Sequence, residues 1–150
     1  MPAPITVLLK RLPGTEDLPL PVQMTEEAAG FDLCAALPQS ATLLPGNILL
    51  VPCGFAMAIP RGYEAQVRPR SGLAAKFGVT LVNSPGTIDS DYRGEIMVPL
   101  INFGQFPFVV ERGMRIAQML VLPVPPVHFV EVDELNPTPR GTGGFGHTGH

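Results

Sequence analysis

Proline is the feature that most restricts this chain. Eighteen prolines recur from Pro2 to Pro139, joined by sixteen glycines, and together they leave little room for helices of ordinary length. The apolar residues between them fall into short runs: Ile5 to Leu9, Phe31 to Ala36, Asn47 to Val51, Gly54 to Ile59, Tyr63 to Arg68, Val79 to Val82, Glu95 to Asn102, Phe106 to Val110, Ile116 to Leu122 and Val124 to Val132. Such runs, bounded by turn signals such as Pro45-Gly46 and Pro60-Arg61-Gly62, predict strands and an all-β body of one domain. One segment reads as a helix: Gly72 to Phe77, with Ser71 as its cap and Gly78 as its stop.

Charge narrows the partners. A net charge of −3 lacks the basic stripe of a general nucleic-acid binder, and no run reaches the length of a membrane span or the pattern of a secretory leader. Charged residues make up only 15% of the chain, which predicts apolar surface covered by further copies of itself. Cys34 and Cys53 sit in apolar surroundings without metal-ligand spacing and read as buried free thiols. His128, His147 and His150 lack the paired spacing of a zinc site. A cytoplasmic location is expected.

Residues 83–96, NSPGTIDSDYRGEI, stand between two apolar runs and read as strand, turn and returning strand. Asn83 carries a donor and an acceptor, Asp89 follows an apolar Ile88, and Tyr92 offers a flat ring with one hydroxyl. These parts could read a small planar heterocycle, and the same residue types are also ordinary turn formers. At 68–78, Arg68, Arg70, Ser71 and Gly72 stand at a helix start, where free N–H groups and the helix dipole favour anions; a capped surface helix with solvated arginines is the alternative.

Three polar features remain. Asp32, between Phe31 and Leu33, either faces solvent by alternation or makes a buried contact near a cation. Gln118 is the single polar residue in its run and either alternates outward or makes a deliberate polar contact. The end of the chain, RGTGGFGHTG at 140–149, is glycine-rich and flexible, yet holds Arg140, Thr142 and Phe145; glycine amides and Arg140 suit phosphates, while Phe145 suits stacking on a base. The division expected is a body of residues 1–136 and a closing lid of residues 137–150. The tail lacks the GxxxxGK[ST] spacing of a P-loop.

Five stretches, in order, resemble the five motifs of the trimeric dUTPases: AGFDLCAA at 29–36, RPRSGLAAKFGV at 68–79, the 83–96 loop, RGMRIAQMLV at 112–121 and the tail motif. The resemblance implies a β-barrel-like jelly roll with one short helix, a homotrimer with sites at subunit interfaces, Mg²⁺, and hydrolysis of dUTP to dUMP and pyrophosphate. It further implies that Asp89 activates water, Asn83 reads uracil and Tyr92 packs under the deoxyribose. Arg70, Ser71, Gly72 and Gln118 would hold phosphates, and Asp32 would approach the metal through water. Arg140, Thr142 and Phe145 would close over the γ-phosphate and base. His147 stands where the family more often has serine, and Phe77 where histidine is common. Two other readings use the same residues: a dCTP deaminase, alone or bifunctional, which lacks the tyrosine loop, and a silent nucleotide-gated interaction protein, which has no need of Asp89.

Overall fold

The computed structural model describes residues 2–149. Among them are eleven strands and one helix, β1 (Leu8–Arg11), β2 (Phe31–Cys34), β3 (Ala41–Leu43), β4 (Ile48–Pro52), β5 (Phe55–Ala58), β6 (Tyr63–Pro69), α1 (Ser71–Phe77), β7 (Val79–Leu81), β8 (Gly86–Ile88), β9 (Met97–Asn102), β10 (Phe108–Val110) and β11 (Arg115–Pro123). Their ladders are all antiparallel and form a four-stranded sheet β2-β11-β6-β8, a three-stranded sheet β4-β9-β7 and the pairs β1-β5 and β3-β10. The short-strand, proline-punctuated sequence thus yields the expected jelly-roll-like all-β architecture.

Alternation supplies the core. On β9, Val98, Leu100 and Asn102 are buried while Met97, Pro99 and Ile101 are not, the period of two that turns one strand face inward. The buried cluster draws Leu33, Val67 and Met119 from the four-stranded sheet and Val51, Leu81 and Leu100 from the three-stranded one, so the two sheets share one core. Each such aliphatic side chain contributes about 1.5–3 kcal/mol by leaving water. Asn102 is the polar exception: its Nδ2 donates to the carbonyls of Leu43 and Phe106, and its Oδ1 accepts from the Gly104 amide. Every hydrogen-bonding group of that amide is therefore occupied where water cannot reach it.

The structure corrects four expectations. The first strand begins at Leu8 rather than Ile5, since only residues 8–11 find partners on β5. β3 was not expected and exists through pairing with β10. β8 lies inside the stretch read as a turn, because Gly86 and Ile88 pair with Val67 and Ala65 of the other large sheet. Val124 to Val132 forms no strand; Pro125 and Pro126 remove two donors, and Val127, Phe129 and Val130 stand largely exposed. β7 and β9 do pair antiparallel across the central loop, as strand and returning strand.

At α1 the helix was placed correctly but its cap was not. Arg70, extended at φ −86 and ψ 129, occupies the N-cap position, and its carbonyl accepts from Ala74; Ser71 is the first helical residue and makes no cap bond. Gly78 ends the helix at φ +69, a left-handed conformation that glycine adopts freely. Both thiols are buried and unpaired. Burial pushes Cys53 up to about 12, with the nearby Glu95 charge adding to the effect. No helix among the described residues is long and apolar enough to cross a membrane.

Candidate functional site

The central loop is built as a cavity wall. After β7, Ser84 Oγ donates to the Leu81 carbonyl at 2.7 Å and turns the chain past Asn83. β8 then ties the loop to β6, and Ile88 packs against the core, which fixes the backbone from which Asp89 projects. The Tyr92 amide donates back to the Asp89 carbonyl at 3.1 Å, and the Tyr92 hydroxyl donates forward to the Glu95 carbonyl at 2.9 Å. Arg93 Nη1 closes the turn on the carbonyls of Ser90 and Tyr92.

These bonds surround a cavity of about 260 Å³. Asn83, Thr87, Asp89, Tyr92 and Glu95 supply polar groups, over apolar walls from Val67, Leu81 and Ile88. A few convergent polar groups on an apolar floor suit a small planar ligand. Asn83, Asp89 and Tyr92, singled out from sequence, are brought together here. Thr87 and Glu95 were missed as lining residues: Thr87 because β8 was unseen, and Glu95 because it reads as part of the returning strand.

A second group forms where β2, β11 and β6 lie side by side. Gln118 is registered opposite Asp32 on one side and Arg68 on the other. The side chain of Asp32 is only 14% exposed; its Oδ2 accepts from Arg115 Nη1 at 3.0 Å, and its Oδ1 lies 4.0 Å from Arg70 Nε. Solvent-facing alternation is thereby ruled out for Asp32, whose shielded carboxylate faces two guanidinium groups. Arg70 also donates to the Arg115 carbonyl at 3.1 Å, and Gln118 Nε2 donates to the Pro69 carbonyl at 3.0 Å, pinning the approach to α1. Gln118 thus makes a deliberate contact. Arg115 is a member of this group that sequence reasoning passed over, although a second arginine three residues after Arg112 was a visible signal.

Ser71 and Gly72 open α1 on the exposed side of this group, where the first N–H groups of a helix lack intrahelical acceptors and the first turn holds no acidic residue. The arrangement can bind a polyanion. None of Asp32, Arg70, Ser71, Gly72 or Gln118 lines the 260 Å³ cavity.

The tail forms a third group. Arg140 Nε donates to the Gly143 carbonyl at 2.8 Å, Gly141 donates to Thr138, and Phe145 stands wholly exposed at φ +51. Among the described residues, all hydrogen bonds of residues 138–149 close within that segment. Arg140, Thr142 and Phe145 therefore meet neither the cavity nor the α1 group in one protomer. No three His, Cys, Asp or Glu side chains converge among the described residues; His150 lies outside those residues.

Against known proteins, the solved structures resembling this one include a point mutant of the Staphylococcus bacteriophage 80alpha dUTPase with dUpNHpp, at TM-score 0.85 and 22% identity, covering 97% of this chain and 99% of that one. A mutant dUTPase from phage phi11 of S. aureus, described with a structural Mg(II) ion, matches at TM-score 0.76 and 20% identity over 86% of this chain and 97% of that one. At such identity the likeness concerns the fold. Sequence likeness goes further: the deoxyuridine 5'-triphosphate nucleotidohydrolase of Beijerinckia indica subsp. indica is 56% identical, over 99% of this chain and 94% of that relative. The dUTPase family model matches residues 16–149, all five motif stretches among them, and with that match the chain belongs to the dUTPase family.

Proposed function

We propose that this protein hydrolyses dUTP to dUMP and pyrophosphate, with uracil and deoxyribose held in the cavity of the central loop. The observation that carries this reading is the convergence of Asn83, Asp89 and Tyr92 on one base-sized cavity in a dUTPase-family chain. Asn83, with neighbouring main chain, reads the uracil edge; cytosine exchanges an acceptor for a donor there and would leave polar groups unpaired. The Tyr92 ring forms the wall against the sugar and leaves no space for a 2′-hydroxyl.

Asp89 accepts a hydrogen bond from a water molecule and aims it at the α-phosphorus. The water oxygen bonds to that phosphorus as the bond to the bridging oxygen of the β-phosphate breaks, pyrophosphate leaves with the electron pair, and Asp89 takes up the water proton. Arg70, Ser71, Gly72 and Gln118 hold the phosphates and strengthen their grip as charge moves to the leaving group. Mg²⁺ fits these residues as an ion carried in on the triphosphate: with Asp32 already paired to two arginines, it meets the water shell at most, which matches the reluctance of Mg²⁺ to shed water. When bound, it neutralises charge on the triphosphate.

The working enzyme is a homotrimer with its sites between subunits, a reading supported by family membership and by the absence of Arg70, Ser71, Gly72 and Gln118 from the cavity lining in one protomer. Residues 137–150 act as a lid, with Arg140 and Thr142 on the γ-phosphate and Phe145 over the base. In a cytoplasm that keeps Cys34 and Cys53 reduced, the reaction limits uracil incorporation into DNA and supplies dUMP for dTMP synthesis.

Pyrophosphate release from dUTP, dCTP, dTTP and UTP, measured in parallel with Mg²⁺, tests the reading. Release from dUTP alone is expected. Release from dCTP at a comparable rate, or deamination of dCTP, would overturn it.

A further inference from the structure

Tyr92 can exclude a 2′-hydroxyl only if its ring is held at one depth, and its hydroxyl is held by a main-chain atom, the Glu95 carbonyl, at 2.9 Å. That carbonyl is itself held. The Glu95 carboxylate reaches across to β4–β5, where Oε2 accepts from the Gly54 amide at 3.0 Å. Ladder bonds from Cys53 to the Ile96 carbonyl and from Ile96 to the Phe55 carbonyl complete the join, each at 2.9 Å.

Gly54 is a rigid post. It adopts φ +80, and a Cβ there would lie 2.8 Å from Thr15 Cγ2 and 3.1 Å from the Ala36 methyl. Its carbonyl accepts from both the Leu12 amide and the Thr15 hydroxyl. At the other end of the chain of contacts, Gly94 lies so close beneath the Tyr92 ring that a Cβ would collide with the phenol. The route from Gly54 through Glu95 to Tyr92 is therefore tied by a hydrogen bond at each join. A carboxylate accepting from a backbone N–H makes a charge-assisted bond, stronger than its neutral counterpart.

We propose that Glu95 is a positioning residue for sugar selectivity: by binding the Gly54 amide it fixes the carbonyl on which Tyr92 rests, and so sets the clearance that separates deoxyribose from ribose. The inference rests on the reading of Tyr92 as the sugar wall. It gives the glutamate a role apart from proton transfer, for which its engagement with Gly54 leaves it badly placed.

Equilibrium binding of dUMP and UMP, followed by calorimetry on the full chain, requires no turnover and isolates this role. Wild type is expected to favour dUMP. Glu95→Ala should lose about tenfold of that preference, while Glu95→Gln, which keeps an acceptor at the same reach, should retain most of it. Glu95→Asp, one methylene too short to meet Gly54, serves if the alanine variant does not fold, and should behave like it. In a Tyr92→Phe background, Glu95→Ala should cause little further loss, because the carbonyl then has no hydroxyl to position. An unchanged dUMP preference in folded Glu95→Ala or Glu95→Asp would overturn the proposal while leaving the sugar-wall reading intact. Wild type that binds both nucleotides equally would overturn both.

Discussion

The loop cavity and the groups proposed to hold phosphates are built in opposite ways. The walls of the cavity come from one protomer: β8 binds it to one sheet, β7 and β9 to another, and Tyr92 and Glu95 tie its rim. The residues proposed to hold phosphates are divided between the Asp32–Arg70–Arg115 group and a tail whose described residues, 138–149, hydrogen-bond only among themselves. A base is small, flat and neutral, so a fixed, partly apolar recess suffices for it. A triphosphate is large and highly charged, and surrounding it completely in advance would also obstruct entry and release. On the proposed reading, recognition is built beforehand and catalysis is completed by assembly and closure.

Asp89→Asn gives the most severe test of that contrast. It should lower dUTP hydrolysis about 10³-fold while dUMP affinity changes little, because the mutation removes the water's partner and preserves the recess. A parallel loss of dUMP binding, measured by calorimetry, would mean that recognition and chemistry are not separable. Deletion of residues 137–150 comes next: turnover should fall about 10²-fold, with the melting temperature unchanged, since the described tail residues make no hydrogen bonds to the body. A lowered melting temperature would show that the tail is part of the folded frame.

Asp32→Ala should have a smaller effect, on stability and phosphate binding together. It leaves Arg115 and Arg70 without their shielded partner, and about 1–3 kcal/mol of stability should be lost, read from the denaturant midpoint, whereas dUMP selectivity over dCMP should hold. Smallest is the effect of acid on a pair outside both regions. Arg112 donates to both carboxylate oxygens of Asp17, at 3.0 and 2.7 Å, and holds its carboxyl below the ordinary value of 3.8. A depressed carboxyl stabilises the fold above its unfolded value and loses that contribution as pH falls through its folded value. Asp17→Asn should therefore flatten the stability profile below about pH 4 and leave activity at neutral pH unchanged, as seen by melting across that range.

Much of this was legible because local chemistry fixed it. Pro and Gly spacing excluded long helices, Gly78 marked the helix end, and Asn83, Asp89 and Tyr92 lie close enough in sequence for one loop to hold them. Where pairing was non-local, the sequence was silent. A three-residue strand such as β3 or β8 has no pattern of its own and exists because β10 or β6 offers a ladder. The run Val124 to Val132 had the pattern and forms no strand, its Val124 amide alone reaching back to the Gly62 carbonyl. Asp32 looked like an exposed aspartate until residue 115, far along the chain, was brought to 3.0 Å from it.

Residue identity alone therefore determined the all-β class, the helix stop and the chemical parts of the site, since dihedral limits and side-chain chemistry are properties of short stretches. Tertiary structure alone decided which strands pair, which charges are shielded and that Glu95 reaches Gly54. Those outcomes depend on distances between residues far apart in the chain, which no local preference encodes.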